Sequence, residues 1–212
     1  MRLFHPESPL MKAFAFVGDL FLLNLCFLLC ALPVVTLGAS AAALYSVTLK
    51  LVRGEEGPLA RSFFAAFRQN FRKSTGAWLL LLLAGYLLWY GTEIIAAHPQ
   101  DFPFVVSLAY GVIAVLLLFA GAWVFPLQAS FENTVLGSFK NALILVFTHP
   151  LRAISVTALS WAPLALLLFA PYFAILASFF FFLFGFSGIA LINSHIIRRI
   201  LDGVTNKEGV SK

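Results

Sequence analysis

Residues 50–73 read KLVRGEEGPLARSFFAAFRQNFRK and lie between two long apolar runs. The stretch has two carboxylates and six cations, and the cations are Lys50, Arg53, Arg61, Arg68, Arg72 and Lys73. Because Lys and Arg accumulate in the cytoplasmic connections of membrane proteins, this pattern predicts a connection held on the cytoplasmic side of a bilayer. The expected positions of the other segments follow from it.

The composition of the whole chain points to a membrane protein. Of its 212 residues, 61% are hydrophobic and 11% are charged, whereas soluble domains have about 45–50% apolar and about 25% charged residues. The formal net charge is +5, but the cations flank apolar segments and do not line a polar face. We therefore expect membrane lipids, and not nucleic acid, to be the partners of these charges.

Six apolar segments are long enough, or nearly so, to cross a hydrocarbon core about 30 Å thick. They are residues 13–35, 36–52, 76–97, 102–125, 153–170 and 172–192. The expected fold is all-α, a polytopic transmembrane helical bundle formed as a single domain. The second segment is short, so a re-entrant hairpin is the competing interpretation of residues 36–52.

Two amphipathic helices are expected on the cytoplasmic side, over residues 58–73 and 134–147. The second is too short to cross a bilayer. In the first, phenylalanines recur every four residues and the cations lie largely elsewhere around the helix. The predicted surface for lipid or a partner consists of Arg61, Phe63, Phe67, Arg68, Phe71, Arg72 and Lys73.

The distribution of positive charge predicts the orientation. With six crossings and both termini in the cytoplasm, all 14 Lys and Arg residues fall on the cytoplasmic side or at its edge. This segregation is the one that the positive-inside rule requires. We expect a multi-pass protein of the cell membrane.

Three polar residues in the first two segments are candidates for a site. Asp19 and Lys50 are at similar distances from the turn near Val35, so they would reach similar depths on antiparallel helices. We expect an ion pair between them that fixes the hairpin, with Asn24 adding an interhelical hydrogen bond. The alternative is functional, because ionisable groups within a membrane often line a pathway for a solute.

No motif for a chemical reaction is found in the sequence. It has no Gly-rich phosphate loop ending in Lys-Ser or Lys-Thr, and no Gly-x-Ser-x-Gly motif. The four histidines lack the spacing of metal ligands. We predict no catalytic residue, no cofactor and no metal site, and expect a protein that is not an enzyme.

The first third of the chain resembles the YesL family of bacterial integral membrane proteins. The resemblance is carried by GD at 18–19, LPVVTLGAS at 32–40, VTLKLVR at 47–53, RSFF at 61–64 and NF at 70–71. It implies a cytoplasmic-membrane protein of five or six helices, often encoded beside carbohydrate ABC-transporter genes, with no defined activity or catalytic residues.

On that resemblance, we expect an accessory or assembly component of solute transport, with carbohydrate as the solute. Its partners would be ABC-transporter permease subunits or further copies of the chain. The alternative is a small transporter or channel subunit that uses Asp19, Asn24 and Lys50.

Overall fold

The computed structural model describes residues 9–55, 57–131 and 134–210, and this part of the chain is helical without a strand. The helices are α1 Pro9–Ala31, α2 Leu37–Arg53, α3 Leu59–Ala97, α4 Phe104–Ser130, α5 Val135–Thr148, α6 Pro150–Phe169, α7 Pro171–Phe180 and α8 Phe186–Val210. A 3-10 turn, Val34–Thr36, joins α1 to α2, and a π-helical turn, Phe181–Gly185, joins α7 to α8. The predicted all-α bundle is confirmed, and the ends of the chain that bear on the orientation lie outside the described residues.

Six stretches of helix are long and apolar enough to cross a membrane, which is compatible with a multi-pass protein. They correspond to α1, the 3-10 turn with α2, α3, α4, α6, and the continuous helix around the π-helical turn. Helix α5, with 14 residues, is the short apolar helix that was expected between the fourth and fifth segments.

Helix α2 is the centre of the bundle, because it packs against α1, α3, α4 and α8. Most of its side chains are buried. Its first two turns are made of small residues, and Gly38, Ala39, Ser40, Ala42 and Ala43 are all buried. Small side chains let helix backbones approach closely inside a membrane, where packing replaces the hydrophobic effect between helices.

Helix α3 corrects one predicted boundary. The amphipathic helix over residues 58–73 and the span over residues 76–97 are one continuous helix of 39 residues, Leu59–Ala97. No proline interrupts the junction, and Gly76 is tolerated within a helix at a modest cost. At 1.5 Å per residue, α3 is about 58 Å long, about twice the thickness of a hydrocarbon core.

The tip of the α1–α2 hairpin reaches only halfway along α3. Trp78 Nε1 donates a hydrogen bond to the Val34 carbonyl at 2.8 Å, and Gly38 packs against Ser74 and Trp78. From Trp78, α3 continues for 19 residues to Ala97, or about 28 Å. Helix α2 therefore packs along the basic half of α3, and the apolar half extends beyond the hairpin.

This register leads us to expect that the α1–α2 hairpin does not cross the bilayer, in contrast to the six crossings that length and apolar composition allow. If the apolar half of α3 crosses the bilayer from Trp78 onwards, the turn at Val35 lies near the cytoplasmic edge. The expected topology has four complete crossings and leaves all the cations on the predicted side.

Cysteine labelling of intact cells tests this topology. In a Cys26→Ala, Cys30→Ala background, Val35→Cys should not react with a membrane-impermeant maleimide added outside, whereas Ala96→Cys should. Val35 is exposed in the fold, so packing alone would not block the reaction. Labelling of Val35→Cys from outside, at a rate similar to that of Ala96→Cys, would show that the hairpin crosses completely.

Two further helix ends differ from the prediction. Helix α4 continues past Pro126 to Ser130, because proline is tolerated in membrane helices where neighbouring groups satisfy the freed backbone. The last segment, predicted over residues 172–192, begins at Pro171 and continues through the π-helical turn into α8. Its apolar part is Ala177–Ile200.

Candidate functional site: a polar core and a basic cavity

Asn24 is fully buried on α1, and its amide group is saturated by the π-helical turn. Its Nδ2 donates to the carbonyls of Phe181 at 3.0 Å and Phe182 at 2.6 Å. Its Oδ1 accepts from the backbone N–H groups of Phe186 at 3.1 Å and Ser187 at 3.0 Å. A π turn displaces backbone groups from the α-helical pattern, and groups freed inside a membrane require other partners. Asn24 supplies them.

The ion pair expected between Asp19 and Lys50 does not form. An ion pair is seen elsewhere, between Arg198 and Asp202 at 3.4 Å, and the His98 ring lies 4.0 Å from the Asp101 carboxylate. Lys50 lines a cavity between α2 and α3. Its side chain therefore lies on the face of α2 that meets α3, and not on the face that was expected to meet α1. Asp19, Asn24 and Lys50 therefore do not form the predicted cluster.

A second group of buried polar side chains joins α2, α6 and α8. Asn193 Nδ2 donates to the hydroxyl of Tyr45 at 3.0 Å and to the hydroxyl of Ser160 at 2.9 Å. The hydroxyls of Thr48 and Ser194 are 2.8 Å apart. Sequence reasoning missed this group, although Asn193-Ser194 directly follows an apolar run and could have drawn attention to it. Its hydrogen bonds hold helices together across the core.

A basic cavity of about 470 Å³ opens between α2, the first half of α3 and the end of α4. Four cations line it: Lys50 and Arg53 from α2, and Arg61 and Lys73 from α3. The described residues around it include no carboxylate. Apolar residues and six uncharged polar ones also line it, and the polar ones are Ser46, Ser62, Gln69, Asn70, Gln128 and Ser130.

Gln128 contributes a buried amide to the wall of this basic cavity. The residue is only 4% exposed, and its Oε1 accepts a hydrogen bond from Ser74 Oγ at 2.7 Å. Within the described part of the chain, its Nε2 has no hydrogen-bond partner. The sequence prediction missed Gln128 because the fourth segment was expected to end at residue 125, before Pro126.

The aromatic stripe of α3 does not form the lipid or partner surface that was predicted. Phe63 is fully buried and belongs to the core, and Phe67 is partly buried against it. Phe71 is 39% exposed. Because α2 presents small residues to α3, the two helices pack closely and the stripe turns largely towards the bundle.

The four cations predicted on the same surface separate into two pairs. All four are exposed. Arg61 and Lys73 line the basic cavity, whereas Arg68 and Arg72 lie on α3 outside its lining. The same helix thus carries two cations directed to a concave site and two elsewhere on its surface.

A family model matches the first part of the chain. No curated protein and no solved structure matches the chain. The matched region extends from within α1 almost to the end of α3, so it includes the turn between α1 and α2, Asn24 and the four cations of the basic cavity. Over residues 20–92, the chain is similar to the family described as "Protein of unknown function, DUF624".

Proposed function

We propose that this chain is a multi-pass protein of the bacterial cytoplasmic membrane that acts as an accessory or assembly component of solute transport. Carbohydrate as the solute class, and ABC-transporter permease subunits as partners, rest on the resemblance to the YesL family. Both termini would lie in the cytoplasm, as the positive charges predict. In this role the chain binds and positions other membrane components and carries out no reaction itself.

The saturated amide of Asn24 is the observation that favours this role over transport by the chain alone. A residue that receives a solute must have free donors or acceptors, and Asn24 uses both amide hydrogens and its oxygen within the bundle. The Nδ2 of Asn193 is likewise engaged between helices, whereas its Oδ1 is buried without a partner among the described residues. With its amide engaged in this way, Asn24 offers no free group to a solute pathway that also uses Asp19 and Lys50.

In an accessory role, the chain would bind its partners through the basic half of α3. It projects beyond the apolar half by about 27 Å, the length of the 18 residues from Leu59 to Gly76. Together with α2, it forms a cation-rich layer on the predicted cytoplasmic side. Permease subunits and anionic lipids would both contact the chain through this cation-rich layer.

Affinity purification from native membranes tests the proposal. The full chain, tagged at its C-terminus and extracted in a mild detergent, should copurify with permease subunits of a solute transporter. An unrelated multi-pass protein with the same tag is the control for abundant membrane proteins. The purified chain alone should give no solute flux in liposomes.

One result would contradict the accessory role. Solute flux in liposomes that contain the purified chain alone, lost in Asp19→Asn, would replace the accessory role with that of a small transporter. Asp19→Asn removes the charge but preserves the size of the side chain, so a loss of flux would not be caused by a packing defect.

A further inference from the structure

We propose that the basic cavity binds a phosphate-bearing anion, which is either the headgroup of an anionic phospholipid or a soluble phosphate ester. Four cations from two helices surround one space, and none of its described lining residues carries negative charge. Two of the four are arginines, whose planar guanidinium groups match the oxygens of a phosphate. This inference stands on the cavity alone and does not depend on the proposed role in transport.

The positive-inside rule explains the side of the membrane but not the convergence of these cations. The rule is satisfied by any cation on the cytoplasmic side, as Arg68 and Arg72 illustrate on the outer surface of the same helix. Four like charges around a shared cavity repel one another. A bound dianion would replace that repulsion with attraction, which gives the arrangement a physical reason.

The four cations differ in whether they also stabilise the end of a helix. Lys50 and Arg53 lie in the last turn of α2, where cations also complement the negative end of the helix dipole. Arg61 and Lys73 have no such structural role, because α3 continues far beyond them. A loss of ligand binding on replacing Arg61 and Lys73 would therefore be the most direct test of the cavity.

The beginning of α3 adds to the positive potential. Pro58 precedes the helix and lines the cavity. No side chain of Pro58 can accept a hydrogen bond from the first backbone N–H groups, which leaves the positive end of a 39-residue helix directed at this region. Helix N-termini of this kind favour phosphate groups.

Uncharged donors lie beside the four cations. Ser62 and Gln69 line the same cavity, and hydroxyl and amide groups can donate hydrogen bonds to phosphate oxygens. The cavity, at about 470 Å³, is within the range of small-molecule sites and leaves room for the organic part of a phosphate ester or headgroup.

Thermal stability of the full chain in a neutral detergent measures binding. The two probes are inorganic phosphate and dihexanoylphosphatidylglycerol, with sodium chloride at matched ionic strength and dihexanoylphosphatidylcholine as their controls. We expect Tm to rise by about 5–10 °C at a probe concentration of about 100 times Kd. A rise with inorganic phosphate identifies a soluble ligand, and a rise with the anionic lipid alone identifies a headgroup.

A pair of charge-matched variants separates the cavity from the general positive charge. Arg61→Gln with Lys73→Gln should weaken binding at least tenfold. Arg68→Gln with Arg72→Gln removes the same charge from the same helix outside the cavity, and should change Kd by less than about twofold, because exposed charges that are distant from a site are screened by salt.

Two outcomes would overturn the proposal. One is the absence of a Tm rise with both probes, and the other is an equal loss of binding in the two double variants. If the Arg61→Gln, Lys73→Gln protein is not recovered folded, the single variants Arg61→Gln and Lys73→Gln replace it, because each removes one exposed cation of the lining. Retention of full affinity in both single variants would also contradict the site.

Discussion

Replacing Gly38 by alanine should destabilise the bundle by about 3 kcal/mol or more, although only one methyl group is added. A Cβ at this position would contact the carbonyl oxygen of Ser74, and would lie 2.6 Å from Trp78 Cβ and 2.9 Å from Phe125 Cε1. Two of these three atoms belong to α3, and one of those is backbone, so relief requires α2 to move away from α3. That movement would disturb the most extensive helix pairing in the molecule.

The same substitution at an open position is the control. A Cβ added to Gly111 on α4 meets no atom within 4 Å. Gly111→Ala should therefore be neutral or slightly stabilising, because alanine favours a helix by about 1 kcal/mol over glycine. Unfolding in detergent measures both variants. A free energy of unfolding for Gly38→Ala within about 0.5 kcal/mol of that for Gly111→Ala would show that α2 and α3 are not in such close contact.

Hydrophobicity and proline positions were sufficient to predict most helices. The apolar runs are long, and Pro33 and Pro171 stand at two of the turns between helices. The continuity of α3 could not be predicted in the same way. A change from a basic to an apolar surface at residues 74–76 resembles a boundary, but a helix can leave the membrane without interruption when no proline or capping residue stops it.

The candidate site was harder to predict for two physical reasons. Equal depth on antiparallel helices does not bring Asp19 and Lys50 together, because the side chains must also lie on facing sides of their helices. Asn24 was expected to add an interhelical hydrogen bond to the α1–α2 hairpin, but its partners are backbone groups of the π-helical turn and of the start of α8. A backbone partner has no signature in the sequence, so neither the turn nor its contact with α1 was foreseen.

Replacing Asn24 by leucine should destabilise the fold by about 2–4 kcal/mol. Hydrogen bonds between membrane helices average about 0.6 kcal/mol and reach about 1.7 kcal/mol, and Asn24 takes part in four. Leucine has a similar volume and is apolar, so lost packing contributes little to the change. Its main effect is to remove the four hydrogen bonds between the amide and the backbone of Phe181, Phe182, Phe186 and Ser187.

Asn141→Leu is the matched control, since Asn141 is a partly buried asparagine on α5 whose side chain has no hydrogen bond in the part of the fold that is described. Steric trapping or unfolding in denaturing detergent gives the free energies of unfolding of both variants.

Deletion of Phe182 tests whether Asn24 acts through the π-helical turn, because with one residue fewer the turn can close as a regular α-helix. The cost of Asn24→Leu should then fall, because the backbone groups no longer require the amide. An unchanged cost in the deletion background would mean that Asn24 stabilises the bundle through something other than the turn.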